Sequence, residues 1–160
     1  MRRASEYYIK HLKLKAHPEG GYYRESFRSK EVLKKNSLPG RYRGSRVFYT
    51  SIYFLLNGRD VSKFHRLKSD EIWHFYSGSP AVIYILMSGR CRKFILDKDR
   101  AQCLVEKNSW FAVELVNKKG YALMGCTVSP GFEFGDFELA EKERLLKAYP
   151  KFWKIIGRLT

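Results

Sequence analysis

The segment 58–78, GRDVSKFHRLKSDEIWHFYSG, decides the fold of this chain. Its first half reads as a β-strand that ends near His65, and after a polar turn its second half returns as a strand from Glu71. Because side chains alternate between the two faces of a strand, Trp73 shares the face of Glu71 and His74 points to the opposite face. We expect the two strands to be antiparallel neighbours that bring His65 and Glu71 side by side.

Short strands separated by turn residues continue on both sides of this segment. The predicted strands are 22–28, 47–56, 62–67, 71–76, 81–87, 91–96, 102–106, 110–115 and 121–129. Glycine, proline, asparagine and serine fill the gaps between them, and no long amphipathic helix separates any pair. The pattern predicts an all-β sandwich or barrel that forms one domain over residues 1–160.

Helices are predicted only at the two ends of the chain. Ser5 could cap a short N-terminal helix, and Asp136 could cap a C-terminal helix that Pro150 stops. The polar, basic stretch 30–46 predicts an exposed loop.

The composition is strongly basic, with 31 Lys and Arg residues against 16 Asp and Glu residues and a net charge of +15. Such a charge attracts nucleic acids, anionic membranes or anionic metabolites. The basic residues are spread over the whole chain and no nucleic-acid motif is present, so we expect an ordinary solvated surface and regard nucleic acid as an unlikely partner.

Targeting and redox signals are few. The N-terminus has no secretory apolar run, and no apolar stretch approaches the roughly 20 residues of a membrane span. The cysteines Cys91, Cys103 and Cys126 are an odd number without zinc-ligand spacing, which favours free thiols in a reducing compartment. We therefore expect a cytoplasmic protein that does not enter membranes.

The segment 58–78 resembles the first signature of the cupin superfamily, G-x5-H-x-H-x3–4-E-x6-G. His65 and Glu71 match two metal-ligand positions of that signature, but Leu67 replaces its second histidine and the first gap is one residue longer. The second signature is matched poorly, with Phe111 where its histidine is expected. Cupins usually hold a metal by three histidines and one glutamate, so the resemblance implies no cofactor and no tightly bound metal here.

Longer strings carry a closer resemblance. HPEGGYYRESFRS, TSIYFLL, FHRLKSDEIWHFYSG, WFAV and GCTVSPGFEFGDFELA are similar to an uncharacterised cupin-like family known by its HPEGGY opening and its CTVxPGFxF ending. The resemblance implies a jelly-roll (double-stranded β-helix) cupin barrel with short terminal helices, a homodimer and no settled activity. That family is similar in shape to the metal-free deoxysugar-nucleotide 3,5-epimerases, which is an analogy of fold alone.

Five further residues are candidates for the pocket. Glu19 and Arg24 could line its mouth, with a surface salt bridge as the equal alternative. Trp73 is a candidate for the pocket floor, and Tyr53 and Tyr84 could supply hydroxyl groups, with core packing as the alternative for all three.

The leading hypothesis is a metal-independent small-molecule-binding cupin of the isomerase or epimerase type. His65 would act as general base next to a carbonyl, Glu71 would orient its imidazole, and Tyr53 or Tyr84 would return a proton. The basic surface favours an anionic ligand such as a phosphorylated or nucleotide-linked sugar. The alternatives are a weak metal site of His65, Glu71 and water, joined by His74 if a bulge intervenes, and a non-catalytic basic module that binds nucleic acid or protein.

Overall fold

Two antiparallel β-sheets face each other in the computed structural model, which describes residues 2–160 and side chains from residue 4 onward. The strands are β1 Lys15–Ala16, β2 Tyr22–Arg28, β3 Val32–Leu33, β4 Arg46–Val47, β5 Thr50–Asn57, β6 Val61–Leu67, β7 Asp70–Gly78, β8 Ala81–Met87, β9 Arg90–Leu96, β10 Gln102–Val105, β11 Trp110–Leu115, β12 Tyr121–Ser129 and β13 Phe137–Leu139. The helices are α1 Arg2–His11, α2 Lys142–Ala148 and α3 Trp153–Leu159, with 3-10 turns at Lys35–Ser37, Phe134–Asp136 and Pro150–Phe152. None of the described helices is long and apolar enough to cross a membrane.

The strand order is that of a jelly roll. One sheet runs β1-β2-β5-β12-β7-β10 and the other runs β13-β6-β11-β8-β9, so that most neighbours in a sheet are distant in the chain. The chain passes from one sheet to the other at several turns, and the pairings are antiparallel throughout. This architecture confirms the all-β fold class expected from the short strands.

The main core fills the space between the sheets because inward side chains alternate with outward ones along each strand. Phe54 and Leu56 of β5 meet Ile83 of β8 and Val113 of β11, all of them buried. The ring centroids of Phe54 and Trp73 lie 5.3 Å apart in an edge-to-face arrangement. Burial of each such side chain stabilises the fold by about 1.5–3 kcal/mol relative to exposure.

The connection between β6 and β7 corrects one expectation from the sequence. The two strands are not paired: β6 lies beside β11 and β13 in one sheet, while β7 lies beside β10 and β12 in the other. His65 and Glu71 therefore face each other across the interior from opposite sheets. A strand-turn-strand pattern does not reveal whether the turn closes a hairpin or crosses between sheets.

Helices lie at the two ends, as predicted, but both predicted caps are wrong. Ser5 is fully buried inside α1, which begins at Arg2. Asp136 ends a 3-10 turn, and α2 begins at Lys142 after Glu141. Asp136 resembled a cap because the sequence does not show the buried contacts that it makes with Arg46 and Lys68.

The stretch 30–46 is more ordered than the predicted exposed loop. It contains β3, a 3-10 turn and the start of β4, and Tyr42 and Arg46 within it are buried. The Arg46 guanidinium holds both carboxylate oxygens of Asp136, at 2.5 Å from Nε and 2.7 Å from Nη2. These partners lie 90 residues apart, so charge composition alone could not indicate that this arginine is buried.

We predict that Arg46→Ala lowers the free energy of unfolding by about 3–5 kcal/mol, because it leaves the buried Asp136 carboxylate without its main partner. The matched control is Arg66→Ala, which breaks the exposed 2.8 Å pair with Glu138 and should cost less than about 1 kcal/mol. Urea unfolding of both variants measures the difference. Equal losses in the free energy of unfolding would show that the buried ion pair contributes no more to stability than the exposed one.

Candidate functional site

A cavity of about 370 Å³ lies between the two sheets. Its volume is in the range of small-molecule sites, at roughly 300–1,000 Å³. Residues of both sheets and of the segment before β13 line it: Lys15, His17, Glu19, Tyr23, Arg24, Glu25, Arg28, Thr50, Ile52, His65, Leu67, Glu71, Cys126, Val128, Phe132, Glu133, Phe134 and Phe137. The cavity thus contains both His65 and Glu71, together with Glu19.

Glu19 is the centre of a buried hydrogen-bonded cluster. The Ser62 hydroxyl donates to its Oε1 at 2.8 Å, while Oε2 lies 3.2 Å from Nε2 of His65 and 3.4 Å from Nδ1 of His17. The carboxyl group beside His65 is therefore that of Glu19, whereas the sequence suggested Glu71. The distance in sequence between Glu19 and His65 hid this pairing.

A tight turn carries Glu19 into this position. Gly20 N donates to the His17 carbonyl at 3.0 Å, with Pro18 at the second turn position that its fixed φ favours. Lys63 N then donates to the Glu19 carbonyl at 2.8 Å, which joins the turn to β6. Gly20 has φ +109, and a Cβ there would lie 2.1 Å from the Val61 carbonyl oxygen. Only glycine lets the turn approach β6 this closely.

The hydrogen bonds of His65 define its protonation. Its Nδ1 lies 2.7 Å from the Lys63 carbonyl, which can only accept, so Nδ1 carries a proton. Burial lowers the pKa of His65 to about 3 and raises the pKa of Glu19 well above its usual value, with the nearby Glu71 adding to the second effect. Both shifts disfavour the charged forms of these groups, and Oε2 of Glu19 lies 3.2 Å from Nε2 of His65. Both ring nitrogens of His65 are engaged in the protein.

His17 is fixed in a complementary state. The Glu19 backbone N–H donates to Nδ1 of His17 at 3.3 Å, so that nitrogen is an acceptor and the proton lies on Nε2. Burial, followed by the Lys15 charge, lowers the pKa of His17 to about 4 and keeps the ring neutral. Within the described residues Nε2 has no hydrogen-bond partner. His17 therefore offers an N–H donor to the cavity.

Glu71 is a buried carboxyl group without a full set of partners. Burial raises its pKa to about 7, while the neighbouring Trp73 N–H and Cys126 thiol act in the opposite direction. Its Oε2 and the Trp73 Nε1 are both buried, and neither has a partner with full hydrogen-bond geometry among the described residues. Such orphaned polar atoms are uncommon and mark sites of ligand, water or chemistry. Glu71 is therefore a candidate acid–base group of the cavity.

One arginine at the mouth is held between two carboxylates. Arg28 donates to both oxygens of Glu25, at 3.0 and 2.9 Å, and to Glu133 at 3.0 Å. This arginine joins β2 to the segment before β13 across the mouth. The Lys15 ammonium lies 5.1 Å from the centre of the Tyr23 ring.

Of three further predicted pocket residues, one lines the cavity, one faces away from it and one lies beneath it. Arg24 lines the cavity as predicted, with its guanidinium 5.6 Å from the centre of the Tyr53 ring. Tyr53 packs with the cluster under α1 and with Tyr76 at 6.1 Å. Trp73 is a core residue at 1 % exposure, on the face of Glu71 as predicted. Strand alternation determines all three placements.

Tyr84 and His74 also lie outside the cavity. Tyr84 is on the outer face of the five-stranded sheet, under the C-terminal helices, and its hydroxyl donates to Glu114 at 2.9 Å. His74 is on the outer face of the other sheet, with Nε2 3.1 Å from the Thr127 hydroxyl. The predicted orientation of His74 away from Glu71 agrees with this geometry, whereas the predicted hydroxyl of Tyr84 in the cavity does not.

Sequence reasoning missed His17 and the three phenylalanines near the mouth. His17 stands in a turn, where no periodicity indicates which way a side chain points. The HPEGGY string could have indicated the role of His17, because its histidine and glutamate belong to one tight turn.

The cavity does not fit the metal that cupins usually hold. Within residues 2–160 no group of three or more His, Cys, Asp and Glu side chains is arranged to bind one. Leu67 lines the cavity, and the ring of Phe111 lies 4.1 Å from that of His65, whose nitrogens are engaged. Neither apolar side chain can ligate a metal.

The geometry defines a class of protein: an antiparallel jelly roll with a small-molecule cavity between its sheets. The family model described as cupin superfamily (DUF985) matches residues 6–140, and the chain belongs to that family. Among curated proteins, none matches the chain with significance.

Solved structures agree with this assignment. A hypothetical protein from Leishmania major has 30% identity and a TM-score of 0.86, with 97% of each chain covered. A protein from Shewanella oneidensis has 38% identity and a TM-score of 0.82, covering 96% of this chain and 94% of its own. The capsular polysaccharide assembling protein CapF from Staphylococcus aureus has 9% identity and a TM-score of 0.58, covering 80% of this chain and 31% of its own. The last likeness concerns the fold alone.

We predict that Gly20→Ala destabilises the protein more than Gly89→Ala does. Both positions have positive φ, but a Cβ at Gly89 meets nothing within 4 Å, whereas one at Gly20 meets the Val61 carbonyl. The Gly89 variant should lose about 1–2 kcal/mol from backbone strain, and the Gly20 variant at least about 2 kcal/mol more. Urea unfolding measures both, and equal losses would show that the turn does not need to approach β6.

We predict that Glu71→Gln changes how stability depends on pH. The folded-state pKa of Glu71 is raised from 4.5 to about 7, so its contribution is present below pH 4.5 and is lost as the pH rises through 7. The loss is on the order of 3 kcal/mol, since one pKa unit is worth about 1.4 kcal/mol. Glutamine does not ionise, so the variant should gain stability relative to wild type over this interval.

Urea unfolding at a series of pH values checks this expectation. The control is Glu106→Gln, which alters an exposed glutamate and should follow the wild-type curve. If the free energy of unfolding of Glu71→Gln depends on pH in the same way as that of wild type, the pKa of the Glu71 carboxyl is not raised by burial.

Proposed function

We propose that this protein binds a small carbonyl compound in its cavity and moves a proton next to the carbonyl, as a metal-independent isomerase does. One observation carries the proposal. A buried carboxyl with an unpartnered oxygen, that of Glu71, faces the same cavity as a neutral histidine with an unpartnered N–H, that of His17. A base and a hydrogen-bond donor in one cavity are the groups that enolisation needs.

Glu71 is the proposed base. A group whose pKa is about 7 is partly ionised at neutral pH and can both take and release a proton. The carboxylate removes the proton from the carbon beside the carbonyl, and the C–H electron pair moves to the carbonyl oxygen. In a β,γ-unsaturated ketone the same carboxyl then returns the proton to the γ carbon while the carbonyl re-forms, which moves the double bond into conjugation without an external acid.

His17 is the proposed electrophile. Its Nε2–H donates to the carbonyl oxygen and stabilises the negative charge that develops there. A neutral imidazole is suited to this role because it does not give up its proton to the enolate. The Glu19 backbone N–H keeps His17 in the required tautomer.

His65 becomes a positioning residue in this proposal. Its Nδ1 is held by the Lys63 carbonyl and its Nε2 by Glu19, so no ring nitrogen remains for a substrate. We therefore assign the base role to Glu71 instead of His65. Epimerisation would need a second base on the sheet of His65, and for that reason we favour an isomerase. The homodimer and the anionic ligand stay predictions.

The test is incorporation of solvent deuterium beside the carbonyl, followed by NMR over a panel of aldehydes and ketones. We predict that wild type accelerates exchange and that Glu71→Gln lowers the rate by about 10²–10⁴-fold, the usual weight of a general base. Tyr84→Phe, which removes a hydroxyl outside the cavity, is the matched control and should keep the wild-type rate. Wild-type exchange in the Glu71 variant, or no exchange above solvent in wild type, would refute the proposal.

A further inference from the structure

Three phenylalanines form an aromatic wall along one side of the cavity: Phe132, Phe134 and Phe137. The ring of Phe132 lies 5.1 Å from that of Phe134 and 6.2 Å from that of Phe137. The ring of Phe137 lies 5.3 Å from that of His65 at the inner end. The wall thus extends from the mouth to the Glu19 cluster.

The outer end of the aromatic wall is exposed to solvent. Phe134 is 55 % exposed although it lines the cavity mouth. A large exposed aromatic at the rim of a cavity is a feature of ligand sites.

The polar groups of the cavity are mostly engaged already. Both oxygens of Glu19 have protein partners, and the carboxylates of Glu25 and Glu133 are bonded to Arg28. The Thr50 hydroxyl accepts from the Phe132 backbone N–H at 3.0 Å. Within the described residues, the buried polar atoms without a partner around the cavity are Glu71 Oε2, Trp73 Nε1 and Arg24 Nε, and Nε2 of His17 adds an N–H group.

This inventory argues against a sugar. A sugar ring carries a hydroxyl on most carbons, and each hydroxyl buried without a partner costs about 1–3 kcal/mol. Arg28 is already bonded to the carboxylates of Glu25 and Glu133, so its guanidinium is not free to bind a phosphate at the mouth. A ligand with one carbonyl oxygen and an otherwise apolar body would leave no polar atom unpaired.

We propose that the ligand is a flat, uncharged aromatic or conjugated ketone whose body lies against the aromatic wall and whose carbonyl end lies between His17 and Glu71. This assignment rests on the proposed function, since it names the substrate class of the same site. Edge-to-face and offset contacts with the phenylalanine rings favour a planar ligand over a branched aliphatic one. The nucleotide-linked sugars suggested by the net charge are the competing class.

The test uses Prodan, an uncharged naphthyl ethyl ketone whose fluorescence shifts to the blue when water is excluded. Wild type should bind it saturably at one site per chain with a blue shift. Phe134→Ala, a change at an exposed side chain, should weaken binding by about three- to tenfold, the value of one aromatic contact. The matched control is Trp153→Ala, which removes an aromatic of 60 % exposure on α3 and should leave the affinity unchanged.

The outcomes separate the ligand class from the reaction. No saturable binding, equal affinities in wild type and Phe134→Ala, or equal losses in both variants would overturn the aromatic ligand. Displacement of Prodan by UDP-glucose, at concentrations where 2-acetylnaphthalene does not displace it, would overturn it as well. Mass spectrometry of bound Prodan in D₂O tests the reaction separately, because it detects deuterium incorporated beside the ketone. Binding without deuteration would support the ligand class and contradict the proposed proton transfer.

Discussion

The close contact between the buried carboxyl of Glu19 and Nε2 of His65 holds the site together. It joins the tight turn before β2 to β6 of the opposite sheet, at 3.2 Å and away from water. The same carboxyl accepts a hydrogen bond from the Ser62 hydroxyl. The backbone N–H of Glu19 donates to His17 and fixes the orientation of that ring. One glutamate thus sets the position of two histidines, and Gly20 makes its approach sterically acceptable.

The two buried glutamates of the cavity have opposite roles because their surroundings differ. Glu19 is satisfied at both oxygens, so its burial costs little and serves to connect the sheets. Glu71 keeps an oxygen without a partner, and its pKa moves to about 7. Burial raises the pKa of Glu19 well above its usual value, and the charge of Glu71 adds to that effect. The fold therefore stabilises one acid and leaves the other reactive.

Several features of the molecule could be predicted from residue order alone. Alternation along β7 correctly placed Trp73 beside Glu71 and His74 on the opposite face, because side-chain direction in a strand is a local property. The short strands and their turns predicted the all-β fold, and the long strings shared with the cupin-like family predicted a jelly roll. His65, Glu71 and Glu19 were all singled out, and all three line the cavity. Tyr53 and Tyr84 were misplaced, since an aromatic suits either face of a strand.

The sequence by itself therefore determined most of the strands, the two faces of β7, the terminal helices and three side chains of the site, those of Glu19, His65 and Glu71. Only the tertiary structure decided that β6 and β7 belong to opposite sheets, that Glu19 pairs with His65, and that Arg46 is buried against Asp136. The physical reason is that alternation depends on neighbouring residues, whereas strand partners and buried polar pairs depend on satisfying hydrogen bonds across the whole interior. The roles of His65 and Glu71 belong to this second kind, because they depend on which nitrogens and oxygens the fold leaves free.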